Sequence, residues 1–200
     1  ATGTIFLKHE AAHPSGAFER NEFLFLNTRL GISEPGTWYY DKNEKILYYH
    51  PQKNETAENI TSFIPQSNGI LKLENCKNIT IKNLCFSLSN SESGKISGLR
   101  AINPIGALCF DKCENILVKN CTVSYSGGQG VKFLKCKNLN VSDCLIEKCA
   151  SCGIVCHECE NENINFNRIR NVGLCDFSAV SIHAGGKSML PYVLDGKKEE

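Results

Sequence analysis

The residues of this chain that could do chemistry are cysteines, histidines and a few carboxylates, and their spacing limits what that chemistry is. The densest group is Cys149-Ala-Ser-Cys152-Gly-Ile-Val-Cys156-His157-Glu-Cys159, which contains two Cys-x-x-Cys pairs and an imidazole. Thiolates at such spacing suit zinc or an iron–sulfur cluster. Farther on, Asp176 lies just before the run Ser178-Ala-Val-Ser181-Ile-His183. Asp, Ser and His supply hydrogen bonds and acid/base groups when a fold gathers them around a bound molecule. Each group also has a plainer use, as a buried thiol or a solvated side chain. The elements that position these residues decide between the two.

Those elements repeat. Cys113, Cys136 and Cys159 are 23 residues apart, and so are Cys121 and Cys144, Gly130 and Gly153, and Asn115 and Asn138. Four coils lie on this ruler, beginning near Gly69, Gly106, Gln129 and Ser151, and a fifth begins at Ser178. Within a coil, apolar residues alternate in short runs (Leu71, Leu73; Ile79, Ile81; Leu108, Phe110; Ile116, Val118; Val131, Phe133; Leu139, Val141), as in strands with one buried face. No stretch has a helical period. Three short strands per turn, with Gly and Asn at the corners, predict an all-β parallel β-helix of about five rungs. The fold also explains two unusual counts, 12 Cys and 20 Asn. Asn tolerates left-handed backbone and can bond its own kind one rung away, which predicts the column Asn78, Asn115, Asn138. Cys acts as a small buried apolar residue in the columns Cys76, Cys113, Cys136, Cys159 and Leu84, Cys121, Cys144. On this basis Cys156 takes the inward place of Phe110 and Phe133, buried stacked thiols are the leading account of the cysteine cluster with disulfides left open, and neither a metal nor a cofactor is expected.

The chain has 22 Lys+Arg against 21 Asp+Glu, so no global field draws it to nucleic acid or an anionic membrane. Its apolar runs are a few residues long, and no membrane-inserting segment is expected. It starts at Ala1 without an initiator methionine, so a piece of a longer chain is expected, and no signal peptide is expected within Ala1-Thr2-Gly3-Thr4 and the residues after it. Residues 1–68 do not follow the ruler. In them Pro35 to Tyr40 and Lys45 to Tyr49, around a polar turn Asp41 to Glu44, predict an aromatic β-hairpin that caps the solenoid. Residues 69–190 are then the coils, and 191–200 a frayed tail or truncated continuation. The surplus over the period falls at one corner, in Ser87 to Pro104 and again near Leu174 to Phe177, and such insertions gather on a binding side.

Pro35-Gly-Thr-Trp-Tyr-Tyr-Asp41, Leu47-Tyr-Tyr-His-Pro51, the Asn-Ile-Thr-Ile coils and Val180-Ser-Ile-His-Ala-Gly-Gly186 together resemble right-handed parallel β-helix proteins of the pectin-lyase-like type, nearest to the group containing glycoside hydrolase family 141. The resemblance implies a carbohydrate-active protein, with this chain as the N-terminal part of a polysaccharide-degrading enzyme whose catalytic acids lie in later coils. It transfers no catalytic residue here. Where that group continues Gly-Gly-Asp-Arg, this chain has Gly185-Gly186-Lys187-Ser188.

Stacking the rungs on the cysteine column gives two outward rows beside the insertion corner. One is expected to run Glu74, Asp111, Leu134, His157, His183, and its neighbour Lys72, Cys109, Lys132, Val155, Ser181. His157 and His183 would then face the same solvent one rung apart, with Ser181 and the loop residue Asp176 as further contacts to a glycan. The alternative is that these are ordinary solvated positions, because hydrolysis by the usual route needs two carboxylates across one bond. A non-catalytic glycan-binding or surface solenoid remains open. So does a lyase, with Lys72 and Lys132 as the basic candidates. The expected partner is a polysaccharide or glycan, and the expected setting is outside the cell. The sequons at Asn54 and Asn59 bear on that setting. Those at Asn78, Asn120 and Asn140 follow from the turn grammar of the fold.

Overall fold

The structure is a computed structural model that describes residues 28–90, 104–175 and 180–185, so Asp176 lies outside the described residues. The chain divides into a unit ending at Ser62 and one beginning at Phe63.

In the first unit a 3-10 turn, Arg29–Gly31, precedes the antiparallel strands β1 (Trp38–Asp41) and β2 (Ile46–Tyr49). Trp38 stands opposite Tyr49, and Tyr39 opposite Tyr48 with the rings stacked at 5.9 Å. The turn closes because Asp41 Oδ1 accepts the backbone N–H groups of Asn43 (2.9 Å) and Glu44 (3.1 Å). These bonds, that from Glu44 foremost, hold the Asp41 carboxyl below its ordinary range. The hairpin is therefore the one expected from Pro35 to Tyr49.

The second unit consists of parallel strands in three sheets. Sheet I contains β3 (Leu71–Glu74), β6 (Gly106–Asp111), β9 (Gln129–Leu134), β12 (Ile154–His157) and β15 (Ile182–Gly185) in spatial sequence. Sheet II contains β4 (Lys77–Lys82), β7 (Glu114–Lys119), β10 (Lys137–Ser142) and β13 (Glu160–Asn165). Sheet III contains β5 (Cys85–Ser89), β8 (Thr122–Ser126), β11 (Leu145–Cys149) and β14 (Arg168–Val172). The chain visits the sheets in rotation, so each circuit adds a rung. That is a parallel β-helix, with five strands on its longest side among the described residues.

Alternation sorts the side chains. Leu71, Leu108, Val131, Ile154 and Ile182 form one inward column of sheet I, and Leu73, Phe110, Phe133, Cys156 and Ala184 another. The Phe110 and Phe133 rings stack at 4.8 Å, the spacing of neighbouring strands, so the rung repeat sets the ring contact. Both are essentially fully buried, which stabilises the fold by about 2–3 kcal/mol each.

The corners are columns of left-handed backbone. Positive φ recurs at Asn75, Lys112, Lys135 and Glu158; at Asn78, Asn115, Asn138 and Asn161; at Asn83, Asn120, Asp143 and Phe166; and at Leu88, Tyr125, Lys148 and Asn171. The second column is an amide ladder: Asn115 Nδ2 donates to Asn78 Oδ1 (2.9 Å), Asn138 to Asn115 (2.9 Å) and Asn161 to Asn138 (3.0 Å). It contains the expected asparagines and extends one rung farther. The cysteine column is cohesive too, since Cys113 N–H donates to Cys136 Sγ and Cys136 N–H to Cys159 Sγ. After Leu84, Cys121 and Cys144 the fourth rung substitutes Asn167, whose Oδ1 accepts the Cys144 N–H (2.9 Å).

Asn138 sits mid-ladder with two amide bonds, and Asn161 ends the described ladder with one. Asn138→Ala removes two bonds of about 1 kcal/mol each and loses the Asn tolerance of left-handed backbone, costing about 3 kcal/mol in all. Asn161→Ala removes one bond and costs about 2 kcal/mol. Urea unfolding of both variants checks this. Equal losses would show that the amides do not act as a ladder.

Candidate functional site on the outward face of sheet I

Outward residues of sheet I alternate with the inward columns. One row is Lys72, Cys109, Lys132, Val155, His183, and the next is Glu74, Asp111, Leu134, His157, Gly185. The first four members of each row stand where the sequence puts them, but the fifth rung is displaced by two residues. His183 pairs with Val155, Gly185 pairs with His157, and Ser181 falls at the corner, where its carbonyl accepts the Ile154 N–H. A shift of two preserves which side chains point inward, so alternation is blind to it. Ile182 pairs with Ile154, and both Val180 and Ile182 are exposed.

The second correction concerns solvent. His157 is fully buried instead of facing water. Its outward neighbour Val155 is buried as well and packs with Cys152 in a small apolar cluster separate from the main core. The outer side of β12 is therefore dry, as an outward valine requires. Ser181 is exposed, and His183 is half-buried.

His157 and His183 do meet, across Gly185. A methyl group on Gly185 would lie 3.3 Å from His183 Nε2 and 3.4 Å from His157 Nδ1, so both rings border the bare Cα. Both ring nitrogens of His157, and Nε2 of His183, are buried without a hydrogen-bond partner. A buried polar group left in this state costs about 1–3 kcal/mol. Glu158 stands beside the pair, its Oε1 3.6 Å from His157 Nε2 and its Oε2 3.9 Å from Lys135 Nζ. Burial holds the His157 pKa below its ordinary value. Glu158 opposes that shift, while His183, Lys132 and Lys135 reinforce it. Glu158 and Gly185 were not singled out from the sequence. Glu158 occupies a corner column otherwise held by Asn and Lys, and the position of Gly185 depends on the displaced register.

The remaining carboxylates on the coils are mostly engaged: Glu74 with Lys72 (2.5 Å), Glu114 with Lys77 (2.7 Å), Glu160 with Lys137 (2.9 Å), Glu147 with Arg170 (2.6 Å) and Asp143 with Lys119 (3.4 Å). Asp111 stacks directly on Glu74, and its Oδ1 is buried without a partner. Lys132 Nζ donates to the Pro104 carbonyl (3.3 Å).

All twelve cysteines are free thiols. Cys156 points into the core beside Phe133, as expected, and Cys159 continues the corner column. Burial pushes the Cys149 thiol up to about 12, and burial likewise raises Cys109, Cys113 and Cys144. Groups so disfavoured as thiolates are packing residues, not nucleophiles. Among the described residues no three His, Cys, Asp or Glu converge as a metal site.

Because the folded-state pKa of His157 is depressed, the unfolded chain takes up that proton first. Its contribution to stability is complete above the ordinary value of 6.5 and is lost as pH falls from there toward the folded value. Replacing an unpartnered buried imidazole by a leucine, as at Leu134 in the same row, removes an unmet polar group. His157→Leu should be at least as stable as wild type at neutral pH and should lose less stability between about pH 7 and 5, as measured by urea midpoints. An unchanged pH slope would count against the assigned environment.

Residues 54–189 match a family model described as a right handed beta helix region, which covers more than half of the chain. No curated protein and no solved structure is significantly similar. The period, the rotation through three parallel sheets and this match agree, and the chain belongs to the right-handed β-helix family.

Proposed function

We propose that this chain is a carbohydrate-active β-helix protein, the N-terminal part of a polysaccharide-degrading glycoside hydrolase of the kind its hairpin and coil motifs resemble. Glycan lies along the insertion side of sheet I. The observation that carries the proposal is the pair His157 and His183, facing each other across Gly185 with ring nitrogens that no protein group satisfies. Unmet buried donors and acceptors that reduce stability are typical of residues kept for a ligand. In this proposal His157, His183, Ser181 and Asp176 are glycan contacts. The bond is cleaved by general acid/base catalysis, with the essential carboxylates supplied from outside the described coils. Such a substrate puts the protein outside the cell, where Asn54 and Asn59 would be open to glycosylation.

A second reading, a non-catalytic glycan-binding or surface solenoid, is favoured by the ion pairs. With Glu74, Glu114, Asp143, Glu147 and Glu160 each tied to a cation, the described carboxylates offer no free facing pair. A lyase would need a free base in the groove, and Lys72 is bound to Glu74 while Lys132 bonds Pro104.

Incubation with a panel of plant and host polysaccharides separates these activities. Released reducing sugar marks the hydrolase, absorbance of an unsaturated product marks the lyase, and calorimetric binding without either marks the module. His183→Ala and Asp176→Ala should each weaken glycan affinity about tenfold, the loss of one or two hydrogen bonds. If affinity and hydrolysis both survive the two substitutions, the glycan does not sit here.

A further inference from the structure

We infer that the paired imidazoles His157 and His183 make β15 an acid-released strand: proton uptake by the rings frees β15 from β12 while the earlier rungs of sheet I stay paired. This goes beyond the glycan reading, since it concerns the free chain and involves no ligand.

The pair is closed tightly. His157 and its neighbour Val155 are fully buried, and a methyl group on Gly185 would already stand in contact with both rings. A neutral imidazole endures such burial, whereas a protonated one carries a charge and two N–H donors that each need an acceptor. Both ring nitrogens of His157 and Nε2 of His183 are buried without a hydrogen-bond partner, and the Glu158 carboxylate, 3.6 Å from His157 Nε2, is beyond hydrogen-bond reach. Glu158 is the one neighbouring charge that favours a proton on His157. His183 of β15, Lys132 of β9 and Lys135 at the corner after β9 all oppose it. Charging this ring therefore requires that it reach water.

β15 is the element whose departure lets water in with the least loss of packing. It pairs with β12 alone among the described residues, whereas β12 is paired on both sides and all four of its side chains are buried. The inward side chains of β15, Ile182 and Ala184, are exposed, so little apolar contact is given up when it leaves. Its release also lifts the bare Cα of Gly185 off His157 Nδ1 and carries the second imidazole away from the first. Burial holds the His157 pKa below its ordinary 6.5, so the open arrangement takes up the proton first and gains as pH falls through that value.

The test is amide hydrogen exchange followed by NMR on the whole chain, between about pH 7 and 5, with protection corrected for the intrinsic exchange rate. The N–H groups of Ile154 and Glu158 donate to the carbonyls of Ser181 and Gly185 and so report the contact of β12 with β15. Those of Val131 and Lys135 donate to Gly153 and His157 and report the contact of β9 with β12. One proton changes the opening equilibrium by up to about tenfold per pH unit, so protection at Ile154 and Glu158 should fall about tenfold or more while that at Val131 and Lys135 holds. His157→Leu should keep Ile154 and Glu158 protected in acid, and so should His157→Gln, which stays polar but takes up no proton. Protection at Ile154 and Glu158 that does not change with pH, that falls together with Val131 and Lys135, or that still falls in the His157 variants overturns the inference.

Discussion

Register is the constraint on which the second unit depends. Each strand must lie directly over its predecessor for the backbone hydrogen bonds to close, so every corner must turn at the same place in every rung. The turn requires left-handed backbone, which ordinary residues adopt at a cost of about 1–2 kcal/mol each. Asparagine reduces that cost locally and, when stacked, recovers more through its side chain, as in the ladder from Asn78 to Asn161. Where Lys112, Phe166 or Tyr125 stands in a left-handed position, the rungs on either side impose the conformation on a residue with no preference for it. The asparagines of the corner columns answer that geometric demand, whereas no cysteine stands at positive φ.

The same demand determines how much was legible in the sequence. The 23-residue interval between Asn115 and Asn138, the alternation of Val131 and Phe133, and the corner cysteines are local signals repeated several times, and together they were enough to establish the rungs, the inward columns and the hairpin from Trp38 to Tyr49. The last strand was misplaced because its evidence was not repeated. Ile182 and Ala184 point inward in the observed register, and Val180 and Ile182 would have done so in the expected one. Choosing between them depends on how the corner before Ser181 is built, which no earlier rung repeats. The burial of His157 was hidden for another reason. An outward position on an isolated sheet is wet by default, and only the apolar character of Val155 hinted otherwise.

The cysteines and histidines show how similar sequence signals separate once packed. Thiols at the corners are small, weakly polar and held as thiols by burial, so they contribute cohesion without unmet demands. Both ring nitrogens of His157 and Nε2 of His183 are buried without a hydrogen-bond partner, with Glu158 Oε1 3.6 Å from His157 Nε2. They share that state with Asp111 Oδ1, both side-chain heteroatoms of Gln129 and Asn140 Oδ1, which are likewise buried without a hydrogen-bond partner.

The two-residue displacement of β15 also bears on how such a protein changes over time. Sliding one strand by an even number of residues keeps the parity of the alternation, although it exchanges which side chains meet the neighbouring inward column, here Ile182 and Ala184 in place of Val180 and Ile182. It also alters which outward residues are neighbours, and the observed register sets Gly185 opposite His157 and His183 next to Val155. The corner therefore works as a vernier. Small changes in its length re-index the outer face of the strand while the parity of its inward side chains is kept.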